Sequence, residues 1–347
     1  MTRKRLGFFT RLTDHGGGPV GAGTYQLAAD QFAAAESLGF EIGWVAQHHF
    51  DPEEGGLPAP LVFLAAVASR TRTIRLGTGI ITLALEDPIR VAEDAAVLDA
   101  LSGGRLELGL GAGGSGDSFA VFGRDAAVRS RIYDDHLTEL IAALQGEELA
   151  ETGRTLAPSG RRLLRDIWQA TFSVHGGTRA GKAGSGLLLS RTQPRTEDQP
   201  RATLAEIQEP ILAAYREALP VGAAPRIGAS RTVLTGTNRE AVVRQARAGA
   251  RAYARWLAAA GQPVPRGDAD DLLAAFDVHY GTPEEVIASL QADPVVTDAT
   301  DLVFQVHPAD PGQDATLESL ELIATQVAPA LGWRARSTYR SQERTTL

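Results

Sequence analysis

Short apolar runs alternate along this chain with longer amphipathic stretches. Residues 6–9, 41–46, 74–83, 105–110, 166–170, 186–189, 226–230 and 301–306 each read as a buried strand. Between them the patterns at 25–38, 60–69, 88–101 and 129–144 read as helices. The third of these has Pro88 at its start and Gly103-Gly104 past its end, the asymmetry that helix termini favour. Strands alternating with helices, with no antiparallel hairpin signal, predict an α/β fold closed as a (β/α)8 TIM barrel.

Two segments exceed ordinary connection lengths. Residues 145–165 either extend the fourth helix or form an excursion containing Pro158-Ser159-Gly160. Residues 235–280 follow the seventh strand and carry helical patterns at 244–260 and 270–276. They read as an insertion over the barrel mouth and a candidate lid. The domain reading is one barrel over residues 1–333, with that insertion inside it, and a basic tail at 334–347.

Composition narrows the function classes. With 347 residues, 44% hydrophobic and 22% charged, the chain can bury a large core. A net charge of -8, with arginines scattered among alanines and acids, predicts no nucleic-acid partner. The absence of cysteine excludes disulfides, thiolate metal sites, iron–sulfur clusters and a cysteine nucleophile. No apolar stretch approaches ~20 residues, and the run at 6–9 is short for a secretory core. A cytoplasmic protein without a membrane partner is expected.

Several constellations could carry chemistry. Gly109, Gly111 and Gly114 match the dinucleotide pattern G-x-G-x-x-G. They follow the fourth strand, however, and residues 115–118 read as continued loop, so close approach of a planar ring to the backbone explains them better. His48 and His49 end the second strand, on the face where barrels keep their active sites. One imidazole there could serve as acid or base, or the pair could simply cap the core edge. No carboxylates stand at metal-ligand spacing, so no metal is expected. After the fifth strand, Ser173, Gly176, Gly177 and Thr178 could present amides and hydroxyls to a phosphate, or form an ordinary N-cap turn. Arg191, just after the sixth strand, could add positive charge on the same face or lie on the surface. His15 and His307 follow the first and eighth strands on that face. His136 reads as structural, and His279 reaches the mouth only if the insertion folds over it.

Together these residues resemble the bacterial-luciferase-like flavin-dependent monooxygenase family. Trp44-Val45-Ala46-Gln47-His48-His49-Phe50 is similar to its second-strand motif, and 74–83 to its third strand. Asp87-Pro88-Ile89-Arg90, Ala92-Glu93-Asp94, Leu98-Asp99 and Leu101-Ser102-Gly103-Gly104-Arg105 resemble its most specific stretch, followed by Phe119-Ala120-Val121-Phe122-Gly123. The resemblance is weaker beyond residue 124. It implies reduced FMN bound at the C-terminal mouth, catalysis at the position of His48 with His49 beside it, and a phosphate held by the Ser173 turn. It also implies a non-proline cis peptide at Gly79-Ile80 beside the flavin ring, which brings Thr78, Gly79, Ile80 and Gly111 into the cofactor site. Where luciferase has a reactive cysteine followed by arginine, this chain has Gly111 and Ala112. That departure argues against light emission and leaves the phosphate to find its charge partner elsewhere, for which Arg191 is the candidate.

The implied activity is oxygenation of a small organic substrate with O2, through a C4a-(hydro)peroxyflavin, using FMNH2 supplied by a separate flavin reductase. A homodimer is the expected assembly. The alternatives are a deazaflavin-dependent hydride-transfer enzyme on the same fold and a non-catalytic flavin-binding protein.

Overall fold

The computed structural model describes residues 4–13, 20–114, 116–195, 199, 202–306 and 311–333. Its strands are β1 (Arg5–Thr10), β2 (Ile42–Val45), β3 (Arg75–Thr78), β4 (Ile81–Thr82), β5 (Leu106–Gly111), β6 (Ile167–Ala170), β7 (Gly186–Leu189), β8 (Ile227–Thr235), β9 (Val278–Gly281) and β10 (Asp301–Gln305). All of their pairings are parallel. β10 pairs with both β8 and β1, which closes the sheet. β3 and β4 are two halves of one broken strand, and among the described residues β9 pairs only with β8, so the closed ring is the expected (β/α)8 barrel.

Alternation along each strand sends every second side chain inward. Ile42, Trp44, Trp168 and Val303 form a cluster inside the barrel, with Phe9 and Leu188 packed against it. A larger core lies between the strands and the surrounding helices. The indoles of Trp44 and Trp168 meet edge to face at 5.7 Å between centroids. Room for them comes from glycine. A Cβ on Gly77 would lie 2.3 Å from the Trp44 ring, and one on Gly186 would lie 2.2 Å from the Trp168 ring.

The N-terminal end of the barrel is plugged by charge. Arg5 donates to Asp301 at 2.6 Å and to Glu107 at 2.7 Å, and Arg75 and the Trp168 indole also donate to Glu107. Burial pushes the Glu107 carboxyl up, but Arg5 and Arg75 outweigh it and hold the group below its ordinary value.

Helix boundaries follow local chemistry. The helix Pro88–Leu101 starts where the Asp87 carboxylate accepts the amides of Ile89 and Arg90, both at 2.9 Å. The segment after Gln145 is an excursion: Gly146 ends that helix at φ 80°, and a 3₁₀ turn, Arg161–Asp166, leads into β6.

Three readings of the sequence need correction. A short helix, Gly116–Val121, begins where continued loop was expected. The third strand is interrupted, and its two halves pair separately with β5. The seventh strand runs on to Thr235, and its upper half pairs with β9, which the sequence reading placed inside the insertion without recognising as a strand.

The insertion consists of the helices Arg239–Ala259 and Ala269–Ala275, followed by β9. Its long helix buries Val242, Ala246, Gly249, Ala250 and Ala254, one face at helical spacing. No helix among the described residues is long and apolar enough to cross a membrane.

Candidate functional site

His48 lies on the inward row that continues from Ile42 and Trp44, just beyond the end of β2. Its amide donates to Leu57 O at 3.0 Å, and its Nδ1 lies 3.3 Å from Glu54 Oε1. Gly55 makes the fit possible, since a Cβ there would lie 2.5 Å from the imidazole Cδ2. Asp51 shapes the turn: its Oδ1 accepts the amides of Glu53 at 2.9 Å and Glu54 at 3.2 Å. Burial pushes the Glu54 carboxyl up, but its bond to His48 and the charges of His48 and Arg11 bring it below the usual carboxylate value. An ionised Glu54 orients Nδ1–H toward itself and leaves Nε2 for a ligand.

His49 has a different environment. Its ring lies 5.6 Å from Phe50 and 5.0 Å from Phe122, and its buried Nε2 has no hydrogen-bond partner. Burial first, then the neighbouring His48, pulls it below the ordinary histidine value, with Glu86 opposing. The ring sits among aromatic neighbours.

Gln47 links the second strand to the third. Its Oε1 accepts the Thr82 amide at 2.7 Å, while its Nε2 donates to Glu86 at 2.6 Å. The Gly79-Ile80 peptide between β3 and β4 is cis, as the resemblance implies. Thr78 bridges the interrupted ladder, accepting from Gly109 N and donating to Gly109 O, each at 2.8 Å. The glycines of β5 therefore have local causes. A Cβ on Gly109 would lie 1.9 Å from Thr78 O, and one on Gly111 would lie 3.0 Å from the Ile80 side chain. Neither needs a dinucleotide to explain it. His136 Nδ1 donates to Leu83 O at 3.0 Å, a structural tie to the segment after β4.

Across the mouth, Ser173 caps the helix Val174–Lys182 and its Oγ accepts the Gly176 amide at 3.1 Å. The Gly177 amide donates to Ser173 O at 3.0 Å, and a Cβ on Gly177 would lie 2.6 Å from Ile211 O. Gly177 is thus a helix-packing glycine, and Thr178 lies farther along the helix. The open donors are the amides of Val174 and His175, which have no hydrogen-bond partner among the described residues.

Arg191 is buried, which overturns its surface reading. Nε donates to Gln305 at 2.6 Å and an Nη to Thr232 at 3.2 Å. Those partners lie on β10 and β8, and no hydrogen bond joins Arg191 to the Ser173 turn. His279 sits on β9 with Nδ1 2.8 Å from Ser289 Oγ; burial, then Arg231, pushes it down to about 4. It is a packing residue outside the mouth. His15 and His307 lie outside the described residues.

The sequence reading missed Glu54, Asp51, Arg11 and Trp256. The run Asp51-Pro52-Glu53-Glu54-Gly55-Gly56 is a turn signature that follows His48 directly, and it could have marked Glu54 as a partner. Nothing local marks Trp256.

A family model described as luciferase-like monooxygenase matches residues 5–297. Limonene 1,2-monooxygenase of Rhodococcus erythropolis is 28% identical over 312 residues, covering 85% of this chain and 78% of that protein. The uncharacterized protein y4wF of Sinorhizobium fredii is 40% identical over 128 residues, 36% of this chain and 37% of that protein. N-acetyl-S-alkylcysteine monooxygenase of Bacillus subtilis is 35% identical over 177 residues, 50% of this chain and 52% of that protein. The chain thus spans about half the length, or less, of the last two.

Among solved structures, monooxygenase RslO1 from Streptomyces bottropensis superposes with TM-score 0.76 at 24% identity, covering 94% of this chain and 99% of that one. The oxygenating constituent of 3,6-diketocamphane monooxygenase from Pseudomonas putida, in complex with FMN, gives 0.73 at 19%, covering 94% and 98%. A coenzyme F420-dependent tetrahydromethanopterin reductase from Methanopyrus kandleri gives 0.68 at 17%, covering 95% and 100%. These likenesses speak to the fold. With a family match across most of its length and a barrel of the expected topology, the chain belongs to the luciferase-like monooxygenase family.

Proposed function

We propose that this chain is a flavin-dependent monooxygenase that takes reduced FMN from a separate reductase, uses O2 and oxygenates a small organic substrate. The observation that carries this reading is the pairing, on one barrel mouth, of an open helix N-terminus at Ser173 with the His48–Glu54 pair. The family match supports it, and so does the FMN held by the diketocamphane protein of the same fold.

The residues present fit a flavin. Two free amides at a helix N-terminus, beside the Ser173 and Thr171 hydroxyls, are donors suited to a phosphate. When bound, the reduced flavin supplies the electrons that activate O2. The chain's own residues do the rest. Val174, His175 and Ser173 hold the phosphate. Thr78, Gly79, Ile80 and Gly111 form the wall beside the ring. The insertion excludes water. His48, fixed through Nδ1 by Glu54, holds or moves a proton at Nε2. His49, packed between Phe50 and Phe122, contributes an edge of the wall beside His48. The reductase and a homodimer belong to this reading as its expected partners.

The test is rapid mixing. Protein loaded anaerobically with photoreduced FMN is mixed with oxygenated buffer while absorbance is followed. Reoxidation much slower than that of free reduced FMN supports the reading. Absence of FMN binding, together with tight binding of reduced deazaflavin, would replace it with the hydride-transfer alternative that the F420-dependent structure of this fold represents.

A further inference from the structure

Arg191 is an unusual cation. It is 7% exposed, and its hydrogen-bond partners, Gln305 and Thr232, are neutral. Among the described residues no carboxylate lies within ion-pair distance of it. Burial and a second guanidinium, Arg11, together pull it down from its ordinary value, with Tyr253 of the insertion opposing. A guanidinium nonetheless remains charged at neutral pH. A buried charge without a counter-charge is costly, and the cost is relieved when an anion arrives.

Position decides which anion. Thr232 and Gln305 are register partners at the top of β8 and β10, and they continue the inward rows of Gly228 and Val303. Arg11 continues the row of Arg5, Gly7 and Phe9 on β1 in the same way. Arg11 bears on Glu54, the partner of His48, and its guanidinium lies 6.0 Å from the Tyr253 ring of the insertion. Arg191 therefore belongs to the side of the mouth formed by β8, β10 and β1, and Arg11 and Tyr253 of the insertion are both close enough to act on its charge. The Ser173 turn follows β6 and keeps its own open amides.

We infer that Arg191, backed by Arg11, is the subsite for a carboxylate on the substrate, so that this enzyme oxygenates an anionic organic molecule. The assignment rests on the flavin reading for the chemistry, but the anion site can be tested apart from it. Gln305 and Thr232 act as positioning residues, since they hold the guanidinium planar fork in place without neutralising it.

The experiment is calorimetric titration of the whole protein with hexanoate and benzoate, each against its neutral amide, and in parallel with FMN and riboflavin. The wild type should prefer each carboxylate to its amide by roughly tenfold or more. Arg191→Gln should erase that preference and leave the FMN-to-riboflavin ratio unchanged. Gln305→Glu keeps the arginine but sets a carboxylate on it from within the chain, and should erase the preference too. This second variant guards against a folding defect in the first. No preference in the wild type, or a preference surviving in both variants, overturns the inference. So does loss of FMN discrimination in Arg191→Gln, which would give the guanidinium to the flavin phosphate. Wild type that prefers carboxylates but binds no flavin overturns the proposed function and leaves the anion site standing.

Discussion

The indole N–H of Trp256 donates to Asp51 Oδ2 at 3.0 Å, across 205 residues of chain. Asp51 uses its other oxygen to cap the turn that presents Glu54 to His48. The insertion helix is therefore fastened to the same carboxylate that shapes the histidine's support. Tyr253 stacks on Trp256 at 5.6 Å and packs on Phe276 at 5.0 Å, so the fastening belongs to an aromatic cluster and not to one isolated bond.

Trp256→Phe keeps the stacked ring and removes the donor. The insertion should open more readily, by about 1 kcal/mol, which is roughly a fivefold rise in protease nicking within residues 260–268. Unchanged nicking would mean that packing alone holds the helix down.

His48→Ala should abolish product while leaving flavin affinity largely intact. Loss of flavin binding would sink the acid–base role. Glu54→Gln should retain the histidine but lose its orientation, with a rate lowered roughly ten- to a hundredfold, part of what a full acid–base group supplies. Single-turnover rates and flavin titrations on the two variants separate these effects.

Ser173→Ala removes both an N-cap and a phosphate contact. It should cost about 1 kcal/mol of stability. It should also weaken FMN roughly tenfold and riboflavin hardly at all, because riboflavin lacks the phosphate. Equal weakening of both ligands would move the phosphate elsewhere.

His279 provides a pH test. Its folded value of about 4 lies below the ordinary histidine value of 6.5, so the unfolded chain binds the extra proton first. Stability should be full above pH 6.5 and should fall as pH drops toward 4. The full effect of this single group is about 3 kcal/mol. His279→Gln should flatten the wild-type decline in melting temperature across that window. A parallel decline would assign it to other groups.

Gly77→Ala should be destabilising, since its Cβ would meet the Trp44 ring at 2.3 Å. About 1–3 kcal/mol is expected for such overpacking. Denaturant midpoints would show it, and a neutral result would mean that the indole can move aside.

The barrel was legible in the sequence because its causes are local. Buried parallel strands read as apolar runs, and a proline such as Pro88 marks a helix start within a few residues. The sequence also determined that His48 would stand at a strand's C-terminal end, since strand order and alternation are properties of one segment. The cis peptide at Gly79-Ile80 was anticipated only through family resemblance, and the observed geometry agrees with it. What tertiary structure alone decided was partnership. Glu54 meets His48 through a folded turn, Trp256 reaches Asp51 across the barrel mouth, and Arg191 meets Gln305 from two strands away. It also decided that Gly109 makes room for Thr78 O and not for a dinucleotide, and that Arg191 is buried. Such contacts join residues distant in the chain, and closing the sheet sets their spacing. No local pattern of apolar and polar positions encodes it.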